Sequence, residues 1–166
     1  MTSTSTTAYT RTNTAVYLTD VVMGGIADIL GQLRIDLTTL YRDWTQDESA
    51  IRTWIEEGSL NEVVLQCHQP NGTVAPIIEF PVSYQASGVG DAAFTADRAS
   101  LARYRAKLSS VPAGTTYNIV CTFLKSRTTM PGWTPTTRAS TAGLQSMRFG
   151  TLGSAPHASV DLRYLH

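Results

Sequence analysis

Between Thr14 and Leu33 the apolar positions Leu18, Val22, Ile26, Ile29 and Leu33 fall three or four residues apart, which lines one face of a helix. Gly24 and Gly25 interrupt that stretch, each weakening a helix by about 1 kcal/mol relative to Ala, and such a pair also permits close packing. Leu37, Leu40 and Tyr41 prolong the apolar pattern as far as Trp44. Thr45-Gln46-Asp47-Glu48 then has the form of a capping box, the Thr hydroxyl accepting from the backbone three residues on while Glu48 reaches back. Ile51, Trp54 and Ile55 supply the buried face of this second helix, and Gly58 stands where a left-handed C-terminal cap belongs.

The period next changes to two. Val63, Leu65 and Cys67 alternate with Val64, Gln66 and His68, Pro70-Asn71-Gly72 makes a turn, and a returning strand over 74–84 puts Ile78, Phe80, Val82 and Tyr84 on one face. Pro81 has no N–H to donate, so the returning strand is expected at an edge or at a bulge. Beyond the glycine-bearing loop Ser87 to Asp91, Thr95 is positioned to cap a third helix whose Leu101, Tyr104, Leu108 and Val111 face inward, ended by Pro112-Ala113-Gly114. A third strand over 116–125 sets Tyr117, Ile119, Cys121 and Phe123 against Asn118, Val120, Thr122 and Leu124. Its centre is apolar on both faces, which predicts a well-buried strand.

From Arg127 to His166 the periodic signals stop. Pro131-Gly132 and Thr134-Pro135 exclude a helix, yet Trp133, Leu144, Met147, Phe149, Leu162 and Tyr164 are too apolar for a solvated tail. Such a segment lies against the body of the domain, either as a binding loop or lid or as an irregular end that merely packs. Only Val160 to Leu165 looks strand-like. At the other end, residues 1–12 are rich in Thr and Ser. They read as a free arm or as a segment pairing with a sheet edge.

A chain of 166 residues forms one domain with a core of its own. Its 13 basic and 13 acidic residues balance, and the arginines are scattered, which argues against a nucleic-acid partner. Cys67 and Cys121 lie in apolar strand-like runs, as buried thiols or as one bridge between neighbouring strands. The first residues lack the basic-then-apolar order of a signal peptide, and no apolar run approaches a membrane span, so a cytoplasmic location with no membrane partner is expected.

Catalytic chemistry finds little support. Cys67 and His68 are adjacent in a strand and point to opposite faces, so they form no thiol–imidazole pair. His68, His157 and His166 lack metal-ligand spacing, which leaves no metal or other cofactor to expect. Asp28, Asp36, Asp43, Asp47, Glu48, Glu56 and Glu57 fall on helices or their ends, the usual place of a solvated acidic face. The glycines of Ser87 to Asp91 lack the Lys-Ser/Thr that completes a phosphate loop. A binding module with no catalytic residues is favoured over an enzyme.

Three stretches carry a family resemblance: T-A-V-Y-L-T-D at Thr14 to Asp20, I-R-T-W-I-E-E-G-S-L-N-E-V-V-L at Ile51 to Leu65, and P-G-W-T-P-T-T-R-A-S-T at Pro131 to Thr141. With the order of elements, they resemble the HORMA domain, and more specifically the bacterial HORMA proteins of CBASS antiphage operons. The resemblance implies an α+β fold, three helices on one face of an antiparallel sheet with strands in the order 74–84, 60–69, 116–125. It divides the chain into an N-terminal arm (1–12), a core (13–125) and a C-terminal safety belt (126–166). In such domains an open state packs the belt on the edge a ligand needs. A closed state moves it to the opposite edge and wraps a short extended peptide, the closure motif, on the edge it has left.

Carried onto this sequence, the peptide edge is Tyr117, Asn118, Ile119, Val120, Cys121, Thr122 and Phe123, the receiving edge is the 74–84 strand, and the belt anchors are Trp133, Arg138, Met147, Phe149, Leu162 and Tyr164. The implied partners are a closure-motif peptide from a partner or sister HORMA protein, a cGAS/DncV-like nucleotidyltransferase (CD-NTase) activated by the closed form, and an AAA+ ATPase that engages the arm around Tyr9 and Arg11. That arm also reads as a plain disordered terminus or, less favoured, as a closure motif for a sister protein. Two other functions stay open at this point, a structural or self-assembling phage-like component and a small hydrolase with an unrecognised site.

Overall fold

The computed structural model describes residues 3–85 and 94–166, with side chains of the first helix from residue 10 onward. The elements run in the order α1 (Ser3–Gln32), α2 (Thr38–Arg42), α3 (Trp44–Glu56), β1 (Leu60–His68), β2 (Val74–Tyr84), β3 (Thr95–Ala96), α4 (Arg98–Arg105), β4 (Thr116–Phe123), β5 (Ser146–Ser154) and β6 (Ala158–Leu165). The strands make one sheet in the order β3-β5-β6-β2-β1-β4, with every pairing antiparallel. The expected order of the 74–84, 60–69 and 116–125 strands is the order found.

The helices cover one face. Leu18, Val22, Ile26 and Ile29 of α1 are fully buried, as are Ile51 and Trp54 of α3, and all join one core with Val63, Leu65, Cys67, Ile78 and Phe80 of the sheet. Val64, Ile77, Val120 and Leu165 point the other way and form a second, smaller cluster. The alternation read from β1 is therefore realised, Cys67 among the helices and Gln66 on the opposite face. Gly58 ends α3 at a φ of 73°, a left-handed conformation that glycine adopts without penalty.

Several expectations are corrected. Helix α1 starts at Ser3, not near Thr14, so residues 3–12 of the expected arm are helical, and Thr12 Oγ1 donates to Glu56 Oε1 of α3 at 2.8 Å. The tertiary contact overrides the poor helix propensity of Thr and Ser. Residues 10–32 also have the length and mean hydropathy (1.3) of a membrane span, which the raw sequence did not suggest, yet 56 % of that window is buried inside the protein. Helix α3 starts at Trp44, with Asp43 in the N-cap position and no side-chain cap bond, so the Thr45 capping box does not form. Asp97, not Thr95, caps α4 by accepting from the Ser100 N–H at 2.8 Å, and α4 ends before Leu108 and Val111. The Ser87 to Asp91 loop lies outside the described residues.

Pro81 is not on an edge strand, because β2 lies between β1 and β6. Instead the β2–β6 ladder is bonded at Glu79↔Arg163 and again at Val82↔Val160, and it is interrupted across Phe80 and Pro81. Strand β4, expected to be well buried, is the edge of the sheet, and Val120 is its one buried residue. Its apolar side chains are half-covered by the C-terminal segment that wraps around it. That segment is more regular than expected, since β5 and β6 form a hairpin.

Candidate functional site

Strand β4 pairs with β1 from Thr116↔His68 to Phe123↔Leu60, and among the described residues nothing pairs with its other edge. An edge strand left open presents a row of backbone N–H and C=O groups to any extended chain that lies beside it. Here that edge is partly covered. Residues 124–145 pass around it.

The path of this segment is fixed by named contacts. On the helix face, the Arg127 guanidinium lies over the Phe123 ring at 4.6 Å and the Trp54 ring at 5.0 Å. Trp54 Nε1 donates to the Thr128 carbonyl at 2.7 Å, and Thr128 donates through N and Oγ1 to Glu57 at 3.0 and 2.6 Å. Trp133 meets Trp54 edge to face at 5.2 Å. The intervening turn holds Gly132 at a φ of 80°, with the Gln46 amide of α3 so close that a Cβ would sit 1.9 Å from its Nε2. Any other residue there would have to push the flexible Gln46 amide aside and adopt a left-handed backbone that glycine takes without strain.

The chain then crosses to the opposite face. Arg138 reaches Glu62 of β1 and Glu79 of β2, and the Ala139 N–H donates to Gln66 Oε1 at 2.6 Å. Ala139 and Leu144 pack on the second cluster, and Gln145 pairs with His166 through both backbone bonds, leading into β5. Between this wrap and β4 lies a groove of about 550 Å³ lined by Ile119 to Phe123, Trp54, Arg127 and Gly132 to Thr136. It contains side chains from both faces of β4, so it runs along the strand's open edge.

At the far side of the sheet, β6 pairs with β2 from Ile77↔Leu165 to Tyr84↔Ala158. The C-terminal hairpin thus occupies the edge opposite β4. Its backbone departs from regular pairing at two bulges, between Arg148 and Gly150 and between Thr151 and Gly153.

Of the expected peptide edge, Ile119 to Phe123 form the groove's strand side, with Trp133 in its wall, while Tyr117 and Asn118 lie on the same strand outside the groove lining. Arg138 lies at the crossing of the opposite face, not in the groove. Leu162 and Tyr164 are core residues at 2 % and 5 % exposure, and Phe149 packs edge to face on Tyr104 at 4.2 Å. Met147 departs from the expectation of a buried anchor, being 40 % exposed on the outer strand β5. Tyr9 lies outside the described side chains, and Arg11 is exposed. Arg127, Glu62 and Glu79 were not singled out from the sequence, and Trp54 and Gln66 were read only as part of a helix face and a strand alternation, not as site residues. Glu79, an acid inside the run I-I-E-F-P, was the available signal.

Neither cysteine is bridged, and both thiols are held neutral. Burial pushes Cys67 up to about 12. Burial also raises Cys121, with Asp47 adding to the rise and Arg127 opposing it. His68 is on the face away from Cys67, within hydrogen-bond distance of Asn118 Oδ1 at 2.7 Å. No group of three His, Cys, Asp or Glu side chains among the described residues is placed to hold a metal ion.

The bacterial HORMA domain 2 family model matches residues 1–164. The chain belongs to that family. Solved structures share the fold at low sequence identity. A chain of a mitotic checkpoint complex superposes with a TM-score of 0.76 at 12 % identity, covering 92 % of this HORMA domain and 97 % of that chain. C. elegans HTP-2, solved bound to the HIM-3 closure motif, gives 0.65 at 13 % identity, with 89 % and 87 % covered. A chain of the E. coli MS115-1 HORMA:CdnC:Trip13 complex gives 0.62 at 12 % identity, with 93 % and 89 % covered. Comparison with curated proteins gives no match.

Proposed function

We propose that this HORMA domain is a non-catalytic, peptide-binding conformational switch acting in the cytoplasm, and that the arrangement above is its closed form. One observation carries the reading: the C-terminal hairpin sits on β2 while the β4 edge stays unpaired beneath an encircling belt. An extended peptide entering the groove would add a strand to β4 through main-chain hydrogen bonds, with Trp54, Phe123 and Trp133 offering pockets for alternate side chains. The belt of this reading is residues 126–166. Its anchors are Trp133, Arg138, Phe149, Leu162 and Tyr164.

The closed, peptide-bound form would bind a cGAS/DncV-like nucleotidyltransferase and switch on second-messenger synthesis, and an AAA+ ATPase would return it to the open form. The likeness to a HORMA:CdnC:Trip13 complex supports this pairing of partners. The arm reading changes in one respect, since an ATPase gripping the terminus near Tyr9 and Arg11 would meet a helix, not an extended strand. Its Thr/Ser composition makes those turns easy to unwind, each such residue costing a helix roughly 0.5 kcal/mol relative to Ala.

The test is to mix the purified chain with a cGAS/DncV-like nucleotidyltransferase, with and without peptide. Co-elution and nucleotide synthesis that depend on the peptide support the reading. A regular ring or tube of the isolated chain would favour a self-assembling component instead, and turnover by the isolated chain would favour a hydrolase.

A further inference from the structure

Between Asp97 and Asp161 the chain carries no acidic residue, although this stretch holds β4, the whole crossing segment and β5. An arginine within it can be neutralised only from outside. Arg105 is met by Asp28 of α1, and Arg138 by Glu62 of β1 and Glu79 of β2. Arg127 is met by none, since the ion pairs among the described residues involve Arg42, Arg105, Arg138 and Arg163. Glu57, which holds the next residue along the belt, has both carboxylate oxygens in use. Its Oε1 accepts from Ser59 and the Thr128 N–H, and its Oε2 from the Thr128 hydroxyl.

Arg127 is also the only charged side chain among the described residues that line the groove. It is half-buried, with its guanidinium 4.6 Å from the centre of the Phe123 ring and 5.0 Å from that of Trp54. Those two rings meet edge to face at 4.9 Å and hold the guanidinium in place. Stacking uses the flat face of the group. It leaves the in-plane N–H donors, the fork that matches a carboxylate, without an acid. An arginine already held on two rings gives up less freedom on gaining a partner than a solvated one does. Around it the groove is walled by Ile119, Phe123 and Trp133, so a charge pair formed there is screened less than one on open surface.

We propose that the groove selects an extended segment of a partner protein that carries an aspartate or glutamate, whose carboxylate pairs with the free edge of Arg127 while the segment lies along β4. This rests on the peptide-binding reading above and adds to it the chemistry by which one ligand is chosen over another. The choice works in both directions. A carboxylate gains charge-assisted hydrogen bonds from the fork, whereas a basic residue at the same position would face Arg127 with no acid in the groove to relieve it. The chain's own N-terminus does not supply such a segment, because no acidic residue precedes Asp20. A second copy of this chain is therefore not the donor through that end.

The experiment is to pan a displayed library of random decapeptides against the full-length chain and against its Arg127→Glu variant. The wild-type chain should enrich peptides that share an aspartate or glutamate at one aligned position, and the variant should enrich lysine or arginine there. One selected peptide is then titrated against the wild type, Arg127→Gln and Trp133→Ala, each checked for an unchanged far-UV spectrum. Changing the peptide's acid to its amide leaves the protein untouched and should weaken binding to the wild type about tenfold, as for loss of one charged hydrogen bond. The same change should cost nothing against Arg127→Gln, whose partner group is already gone. Peptides with no shared acid, or an equal loss on both proteins, would overturn the role of Arg127. The groove reading would survive that result if Trp133→Ala still weakened binding. Binding that neither variant alters, or no enriched peptide at all, would overturn both.

Discussion

Arg138 of the belt and Glu79 of β2 meet at 2.5 Å on the sheet face opposite the helices, where the Glu79 side chain is only 6 % exposed. Glu79 takes a second cation, Arg163 of β6, at 3.2 Å. Both arginines come from the segment after β4, so both are withdrawn if the hairpin leaves β2. In the proposed closed form the pair would act as a latch.

Replacing Arg138 by Met should therefore destabilise the closed form. Removing one partner of a buried ion pair costs about 3–5 kcal/mol, and the remaining Arg163 puts the expected loss at the low end of that range. Urea denaturation of Arg138→Met measures it. Adding Glu79→Gln to that variant should recover part of the loss, and a strictly additive double variant would mean the two residues are not coupled.

Trp133 closes the groove against Trp54. Truncating a buried aromatic to Ala costs about 3–5 kcal/mol, and less is expected at this half-buried position. Trp133→Ala should leave the helical core folded, with an unchanged far-UV spectrum, while peptide affinity drops and dissociation quickens. Titration calorimetry and stopped-flow dissociation are the checks, and unchanged affinity in a folded variant would remove Trp133 from the site.

Asp47 gives the account a pH signature. Burial, helped by Asp43, raises its carboxyl from 3.8 to about 6. The folded state then holds the proton more tightly than the unfolded state, so stability present below pH 3.8 is lost as pH rises through about 6. Thermal melts of the wild type and Asp47→Asn should diverge across this window, the wild type falling relative to the variant toward neutral pH. Parallel curves would show that Asp47 is as well solvated folded as unfolded.

The first turns of α1 bear on the proposed remodelling. Deleting residues 2–12 removes the Thr12–Glu56 bond, and among the described side chains the fully buried residues of the helix begin at Ala15. The truncated chain should fold and still bind peptide, and it should no longer be opened by the AAA+ ATPase. Release of a bound fluorescent peptide reports opening. Release at the full-length rate would show that the ATPase engages another part of the protein.

The parts of this fold that were legible in the sequence are those with an unbroken period. Val63, Leu65 and Cys67 alternate cleanly, and β1 and β2 follow. Ile51 and Trp54 keep helical spacing, and α3 follows. Strand β5 was not legible because two bulges, one at Gly150, break its alternation and most of its residues face solvent. The extension of α1 was hidden by residues with poor intrinsic propensity, stabilised by contacts distant in sequence. At the site, Trp133 stood out as the largest apolar residue of the tail. Glu79 was visible as a charge within an apolar strand, but Arg138 and Arg163 lie too far along the chain for sequence to pair them with it.

The central claim is that the open edge of β4 takes an extended peptide beneath the belt. Hydrogen–deuterium exchange of the full chain, with and without a bound peptide selected from a displayed random library, tests it most directly. Backbone amides of 117–123 and of the belt over 127–139 should gain protection on binding, while β6 stays paired with β2 and its amides are unaffected. Protection confined to other elements, with the 117–123 amides exchanging as fast as before, would contradict the account.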